Sequence, residues 1–335
     1  MKGRTRPSDD DNILAPGSLR SVLFSPIALM LSFLPKFIRE TIYVIWFNIC
    51  LVNSIFFLYT CCLIVQIYYF NDNEASVKAR RHRCAQLCHY FFRYGIFFPC
   101  PWITVDHPKI DWSCCEEDKV ATLINHTSYL DAILYSAVSP PNIIPLNKTL
   151  MKASIFKLPF MGKISTWVGH FPVHFTSEQG SSVDQTQQKP VMEAFETYVT
   201  EGGGLTFCPE GTVNAKPYEM LSWRTGGFRI TERNNMKYVF FTHVGCDKVW
   251  GPKAKVGGYP ANLKLSVSAY EDNSKESNDP VEKEKLFKAK VSHMQKMMQQ
   301  EINALLSWVT HREFAALSTL ANRQSLSSDP RLYLD

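Results

Sequence analysis

The chain has 335 residues, enough for one large domain or two modest ones, and it is 45% hydrophobic, which is apolar enough to fold. Its aromatic fraction of 13% points to a membrane interface. The formal net charge of +5 comes from scattered Lys and Arg and does not indicate nucleic-acid binding, although a weakly basic surface suits anionic lipid headgroups and phosphorylated substrates.

The ten cysteines are irregularly spaced, and none of them forms the paired C-x-x-C spacing of a structural zinc site. A chain of this length needs no disulfide framework, so free thiols in a reducing compartment are expected. Cys84, Cys88 and His89 could be pictured as metal ligands, but helical spacing onto an apolar face explains them better. The sequence therefore predicts no metal site.

The amino-terminal part of the chain predicts a membrane anchor. Residues 1–20 are polar and charged and are predicted to be disordered, and residues 21–70 form a predicted membrane-anchoring region. Its first apolar run, 22–34, is short and favours a segment in the interface, whereas 41–70 contains no charge. As a helix the second run would extend ~45 Å against ~30 Å of bilayer hydrocarbon, so a membrane-spanning helix is predicted.

The basic residues that flank this segment predict its orientation. Lys36 and Arg39 precede it, and four basic residues follow it, namely Lys78, Arg80, Arg81 and Arg83. By the positive-inside rule, this excess places the carboxyl-terminal part of the chain in the cytosol. Residues 71–100 are basic and aromatic, and they form a predicted interfacial helix that links the membrane segment to the domain.

Strand and helix patterns alternate through residues 101–312, the predicted main domain. Seven apolar runs predict strands, at 102–105, 120–124, 143–146, 168–173, 204–208, 238–244 and 263–269. An amphipathic helix is predicted over 280–308, with its apolar face on the sheet. The alternation predicts an α/β fold with a largely parallel sheet flanked by helices, followed by a loose tail at 313–335.

The stretch around His126 carries the clearest catalytic pattern. Val120–Ile124 is a short apolar, β-branched run that predicts a buried strand, and after Asn125 apolar residues recur at helical spacing. His126 therefore lies in the turn between the carboxyl end of a strand and the amino end of a helix, where open α/β sheets place their active sites. Asp131, in the first turn of that helix, is then close enough to meet the histidine.

A His126–Asp131 pair of this kind makes a general base. The carboxylate fixes the imidazole tautomer, and the other ring nitrogen takes a proton from an alcohol nucleophile. On the spacing alone, a polar turn whose histidine caps a helix explains the pattern equally well.

Two motifs resemble those of one enzyme family. Asn-His-x-x-x-x-Asp from Asn125 to Asp131 is similar to the first motif of the glycerolipid acyltransferase superfamily (PlsC, or 1-acylglycerol-3-phosphate acyltransferase). Phe-Cys-Pro-Glu-Gly-Thr from Phe207 to Thr212 resembles the family's Phe-Pro-Glu-Gly-Thr motif with one variation. The resemblance covers roughly residues 102–270, and it implies an acyltransferase that uses acyl-CoA as co-substrate with no metal or other cofactor.

The resemblance also implies roles for residues of the second motif. The sequence departs from the family's motifs at two positions. Glu210 positions the acyl acceptor, and Gly211 and Thr212 complete a turn that lets substrate approach the backbone. The family's Gly-x-x-Phe-x-x-Arg motif keeps its glycine here as Gly169, but Phe175 replaces the arginine that holds the acceptor's phosphate. The arginine that usually follows Glu-Gly-Thr is also absent.

Another cation must therefore hold a phosphorylated acceptor. Lys148 and Arg224 are the candidates, and arginine would be preferred for a bidentate grip. His170 and His174 alternate on one strand face, and either donate to a phosphate or are ordinary polar strand residues. The oxyanion of the reaction would be stabilised by backbone N–H groups at the turn or by a hydroxyl such as that of Ser128, and the sequence does not choose.

The sequence thus predicts an integral membrane enzyme of the endoplasmic reticulum, with a cytosolic catalytic domain that acylates a lysophospholipid. Lysophosphatidate is the first choice of acceptor, lysophosphatidylcholine follows, and glycerol-3-phosphate is less favoured because its small dianion most needs the missing arginine. Two other classes stay open. A serine hydrolase would use His126 and Asp131, but no Gly-x-Ser-x-Gly elbow occurs. A lipid-binding protein that has lost catalysis would explain the degenerate motifs.

Overall fold

The computed structural model describes residues 13–15, 17–107, 110–116, 119–176, 182–272 and 279–308. The strands in these ranges are β1 Ile103–Asp106, β2 Val120–Ile124, β3 Asn147–Lys152, β4 Phe171–Val173, β5 Gly204–Phe207, β6 Lys237–Val244 and β7 Ala261–Tyr270. The α-helices are α1 Leu19–Leu23, α2 Ser25–Ser32, α3 Lys36–Tyr68, α4 Glu74–Tyr90, α5 Asp131–Val138, α6 Met161–Val168, α7 Gln185–Thr200, α8 Gly226–Arg233, α9 Cys246–Val249 and α10 Pro280–Ser307.

The seven strands form one sheet in the order β1-β7-β6-β2-β5-β3-β4. Five of the six neighbouring pairs are parallel, and β7 runs antiparallel to β6. One apolar cluster joins the sheet to α3, α4, α5 and α6, and a second joins its other face to α7, α8 and α10. The predicted α/β fold with a largely parallel sheet flanked by helices is therefore confirmed.

Two of the predicted strands differ in the structure, one because of a proline and the other because of a glycine. The strand predicted at 143–146 is wrong, because Ile144–Leu146 is a short 3-10 helix and Pro145 has no N–H to give to a ladder. The strand predicted at 168–173 is shorter, because α6 continues to Val168 and ends at Gly169 in the left-handed conformation, with φ +86°. Strand β3 accordingly begins later, at Asn147.

Helix α3 is the one helix among the described residues that is long and apolar enough to cross a membrane. It lies along the domain through a stripe of buried residues at three- and four-residue spacing, namely Tyr43, Phe47, Leu51, Ser54, Leu58 and Cys62. Its opposite face exposes large apolar side chains such as Ile45, Ile49 and Phe57. Only one side of this 33-residue helix is therefore left to meet a bilayer.

The segments before and after α3 are built into the domain. Leu14 and Arg20 are fully buried, and the Arg20 guanidinium donates to the carbonyls of Leu14, Phe97 and Ile103 at 2.8 to 3.1 Å. Residues 13–15 and 17–20 are thus folded against β1, so the disorder predicted over 1–20 is wrong for them, while 1–12 lie outside the described residues, as does the predicted tail at 313–335. The segment predicted as a linker contains α4, which packs against α3, α5 and α6.

Candidate active site

The carboxyl ends of three neighbouring strands meet at one edge of the sheet. His126 follows β2, Glu210 follows β5, and His243 lies near the end of β6. Helix α5 begins at Asp131, five residues after His126. This is the edge at which parallel α/β sheets place their ligands.

His126 and Asp131 meet as their spacing predicts. Nδ1 of His126 lies 3.0 Å from Oδ2 of Asp131, and the same oxygen accepts the backbone N–H groups of Thr127 and Ser128 at 2.7 and 2.9 Å. The carboxylate is 1% exposed, whereas the histidine side chain is 26% exposed. Because a carboxylate only accepts, Nδ1 carries the proton and the lone pair of Nε2 is left as an accessible base.

A second histidine, which was not predicted from the sequence, contacts this pair from β6. His243 is fully buried, and its Nε2 lies 2.9 Å from the carbonyl oxygen of Asn125 and 3.5 Å from Oδ1 of Asp131. Since both neighbours are acceptors, Nε2 carries the proton, and burial lowers the pKa of His243 so that the ring is neutral. The Asn125 side chain also links the two strands, because its amide donates to the His243 carbonyl and accepts the His243 N–H, each at 2.9 Å.

Asp131, His243 and Cys246 form the one group among the described residues whose ligand atoms are close enough to hold a metal ion, within 4.8 Å of one another. In this arrangement the carboxylate already accepts from His126 and two backbone N–H groups, and the His243 ring donates to a carbonyl. The group is therefore explained as a hydrogen-bond network, and the absence of a metal stays a prediction.

Both carboxylate oxygens of Glu210 accept hydrogen bonds from the protein. Oε1 accepts the backbone N–H of His126 at 2.9 Å, and Oε2 accepts the Asn214 side chain at 2.8 Å and the Leu221 N–H at 3.1 Å. Glu210 is 3% exposed. Burial raises its pKa, and the hydrogen bond from His126 is the largest contribution that lowers it. The carboxylate thus holds the turn rather than facing a ligand.

Asn214 is the other half of this support, and the sequence analysis treated it only as the position beyond a missing arginine. Its backbone N–H donates to the His126 carbonyl at 2.6 Å, while its side-chain amide donates to Glu210 and to the Glu219 carbonyl. The peptide groups on both sides of His126 are therefore fixed, one by a carboxylate and one by an asparagine.

Gly211, Thr212 and Arg224 lie at the same edge. Gly211 has φ +67°, and a Cβ there would come within 2.5 Å of the Arg224 side chain, so the turn requires glycine. The Arg224 N–H donates to the Pro209 carbonyl at 2.8 Å, and its guanidinium lies 5.9 Å from the centre of the Phe175 ring. Thr212 is exposed next to this turn. Arg224 is thus brought to the second motif, and its role towards a phosphate stays a prediction.

Lys148 and Gly169 are not brought to this edge. Lys148 pairs with Leu205, which pairs with Ala121. His126 and Glu210 each come five residues later, so Lys148 lies about 16 Å back along the strands. Both Lys148 and Gly169 line a separate cavity of about 530 Å³.

Lys152 is the lysine of β3 that reaches the level of the catalytic edge, because it ends the strand three residues beyond the Thr149–Thr206 pair. Lys152 was not among the predicted site residues, because the strand predicted in this part of the chain ends at 146, before β3 begins. Counting from the observed start of β3 would have found it.

Ser128 is committed to structure. Its hydroxyl donates to the Trp250 carbonyl at 2.5 Å and accepts the Leu130 N–H at 3.0 Å, and the residue is fully buried. It is therefore not placed to stabilise an oxyanion. Within the described part of the chain, no hydroxyl or thiol hydrogen-bonds to Nε2 of His126, so a serine nucleophile of the triad type has no counterpart here.

The comparisons with known proteins agree with the motifs. The family model described as "Acyltransferase" matches residues 113–243, a range that contains the His126–Asp131 pair, Glu210 and His243. The crystal structure of PlsC, the 1-acyl-sn-glycerophosphate (LPA) acyltransferase of Thermotoga maritima, superposes with a TM-score of 0.62 at 11% identity. The match covers 82% of this chain and 100% of that one. Among curated proteins, no sequence matches the chain.

Proposed function

We propose that this chain transfers a fatty acyl chain from acyl-CoA to the free hydroxyl of a lysophospholipid, because residues 113–243 match the acyltransferase family model and the fold resembles that of PlsC. The observation that carries the proposal is the His126–Asp131 pair, with Nε2 of the histidine accessible at the sheet edge.

The proton transfers follow from the tautomer that Asp131 imposes. Nε2 of His126 takes the proton of the acceptor's hydroxyl as that oxygen attacks the thioester carbonyl. The carbonyl oxygen becomes an oxyanion, and its collapse breaks the carbon–sulfur bond. The imidazolium returns the proton to the leaving CoA thiolate, so the base is regenerated. Asp131 stabilises the imidazolium between the two transfers.

Lysophosphatidate is the acceptor that we propose first. Its phosphate is attached to the carbon next to the one that bears the reacting hydroxyl, so the phosphate must lie close to His126. Arg224, which packs on the Gly211 turn, and Lys152, at the end of β3, are the cations at that level of the sheet. Both would make charge-assisted hydrogen bonds to the dianion, and Arg224 could do so with two parallel bonds.

Attachment to a bilayer through α1, α2 and the outward face of α3 is part of the proposal. These three helices expose apolar side chains that no described residue covers, among them Leu19, Met30 and Ile45. Because α3 is fastened to the domain along its buried stripe, the active site would be held beside the membrane that contains both lipid substrates. The cytosolic orientation and the endoplasmic reticulum stay predictions.

The testing experiment measures release of CoA thiol from acyl-CoA by the full-length protein in detergent micelles. Release is expected only when a lysophospholipid is added, with lysophosphatidate preferred over lysophosphatidylcholine and glycerol-3-phosphate. The His126→Ala variant should bind both substrates and release no thiol. Release without an acceptor would indicate a hydrolase, and no release with any acceptor would indicate a lipid-binding protein.

The acceptor choice has its own control. Arg224→Gln should raise the KM for lysophosphatidate by roughly tenfold or more and leave that for acyl-CoA unchanged, because only the acceptor's phosphate is held there. If the wild type prefers lysophosphatidylcholine, the proposed acceptor is wrong, whereas the proposal of acyl transfer is unaffected.

A further inference from the structure

A second cavity lies behind the active-site edge, among α4, α6, α7 and the edge strands β3 and β4, with a volume of about 530 Å³. Arg81 of α4 and Lys148 of β3 reach it from different elements, and His170 enters from the residues before β4. The role proposed above for the active site uses none of these three side chains.

The two cations in this cavity have no acidic partner in the described part of the chain. Among the residues that the structure describes, the side chains of Arg81 and Lys148 make no ion pair or hydrogen bond; Lys148 is only 4% exposed, whereas Arg81 is exposed. Glu201, the acidic residue in the lining, is exposed and pairs with neither cation. A buried, unpaired ammonium is costly, and such groups in proteins are normally paired or bound to a ligand.

The electrostatics of Lys148 show the size of this effect. Burial and, after it, the charge of the neighbouring Arg81 together lower the pKa of Lys148 from 10.5 to about 8. An anion bound between the two cations would remove the repulsion and replace the lost hydration. Among the described residues, no carboxylate lies between the two neighbouring positive charges.

His170 adds a neutral donor. Its Nδ1 accepts the Thr149 backbone N–H at 3.1 Å, so the proton of the ring is on Nε2. Burial and the charge of Lys148 lower the pKa of His170 to about 3, which keeps the ring neutral at physiological pH. The cavity therefore presents an ammonium, a guanidinium and an N–H donor, a set that complements an acceptor-only dianion.

We infer that this cavity binds a phosphate monoester, held by Lys148, Arg81 and His170. The source that fits its position is the 3′-phosphate of the CoA donor. Lys148 lies about 16 Å from His126 along the strands, too far for it to hold a phosphate one carbon from the reacting hydroxyl. In CoA the phosphates are separated from the thioester by the whole pantetheine arm.

The edge strand β4 would carry that arm. Gly169 and His170 line the cavity at its beginning, and Phe175, just beyond its end, contacts Arg224 at the active-site edge. The assignment of the phosphate to CoA rests on the proposed function, whereas the phosphate site itself does not.

The first experiment measures thermal unfolding of the full-length protein in detergent, with inorganic phosphate as the probe. Phosphate should raise the Tm of the wild type and of the exposed-lysine control Lys163→Met, and should leave that of Lys148→Met unmoved. Without phosphate, Lys148→Met should melt above the wild type, because an apolar side chain of similar length replaces an unpaired buried cation. Equal phosphate responses in all three proteins would overturn the site.

Arg81→Gln is the second variant, since it changes the other cation without touching the core of the sheet. It should weaken phosphate binding at least about tenfold, and an unchanged affinity would remove Arg81 from the site.

The second experiment identifies the source of the phosphate by calorimetric titration with CoA and dephospho-CoA. The wild type should bind CoA at least about tenfold more tightly than dephospho-CoA, and Lys148→Met should lose this difference. A wild type that responds to phosphate but binds both nucleotides equally would overturn the assignment to the donor. A lysophosphatidate titration would then test a lipid headgroup as the source.

The third experiment uses pH. Between about pH 7 and 9.5 the wild type should lose affinity for phosphate, because Lys148 has a pKa of about 8 and gives up its proton. Lys148→Arg stays charged and should keep its affinity. The other titratable groups that face Lys148 are Arg81, His82, Cys84, Cys88, His170, Tyr198 and Glu201. The same loss in Lys148→Arg would assign the titration to them and overturn the role of Lys148.

Failure of the site and failure of the proposed function give different results. His126→Ala should keep the phosphate response, since it changes only the base. A wild type that binds phosphate through Lys148 but transfers no acyl group would refute the function and leave the site standing.

Discussion

Replacement of Glu210 by glutamine separates two roles that this residue could have. The resemblance to the acyltransferase family implies that Glu210 positions the acceptor, whereas its hydrogen bonds to the His126 N–H, Asn214 and Leu221 indicate that it positions the base. A glutamine keeps the shape of the side chain. Whichever way the amide is turned, its nitrogen faces a donor and at least one of these hydrogen bonds is lost.

The magnitude follows from the kind of bond that is lost. A hydrogen bond to a charged group contributes about 1.5 to 3 kcal/mol, and most of this would be lost from the placement of His126. The kcat of Glu210→Gln should therefore fall roughly 10- to 100-fold, while the KM for the acceptor stays nearly unchanged.

Initial-rate kinetics at varied acceptor concentration measure both quantities. The matched control is Glu219→Gln, because the Glu219 side chain is 76% exposed and pairs only with Lys216 in this loop. Its kcat and KM should equal those of the wild type. A Glu210→Gln enzyme with a raised acceptor KM and normal kcat would refute the positioning role and restore the acceptor-binding one.

Other substitutions test the remaining parts of the site and the membrane face. Asp131→Asn should lower kcat by roughly 10³- to 10⁴-fold in single-turnover assays, because the amide favours the wrong tautomer of His126, and a tenfold loss or less would contradict the mechanism. His243→Gln should retain more kcat than His243→Leu, since the glutamine amide replaces the N–H donor to the Asn125 carbonyl; equal losses would make His243 a packing residue. On α3, Ile49→Asp should reduce sedimentation with lipid vesicles without lowering Tm, whereas Leu58→Ala should cost about 2 to 5 kcal/mol of unfolding free energy and leave vesicle binding intact. If both variants still bind vesicles as the wild type does, α3 does not contact the membrane.

The parts of the fold that the sequence predicted are those with a strong local pattern. Strand β2 is confirmed at both ends, because a β-branched apolar run between charged residues has few alternatives. The helix predicted over 280–308 is confirmed as α10, with its methionine face on the sheet. The strand predicted at 143–146 is wrong because apolar composition was weighed above the missing N–H of Pro145.

The site divides in the same way. His126 and Asp131 are five residues apart in one turn, so their meeting could be predicted from local geometry. The other supports of this pair come from different strands. His243 reaches Asp131 only because β6 lies next to β2, and Asn214 reaches His126 only because β5 lies on the other side. Neither pairing is written in the spacing of the sequence.

Register also decides which lysine of β3 serves which end of the sheet. Lys148 and Lys152 are four residues apart, or about 13 Å along the strand, and composition alone does not distinguish them. The start of β3 at Asn147 puts Lys148 beside Arg81 in the cavity of about 530 Å³, the rear cavity, and puts Lys152 at the catalytic edge.

The same register gives Gly169 a different explanation from the one that the motif suggested. Gly169 has φ +86°, and a Cβ at this position would lie 3.2 Å from Nε of Arg81, so the glycine lets α4 bring its guanidinium close to β3. A glycine that the family resemblance assigned to the acceptor is therefore placed to shape the rear cavity. If the phosphate of the donor binds there, the two ends of the edge strand β4 divide the substrates between them, with the donor's phosphate beside Gly169 and the acceptor's beside Arg224.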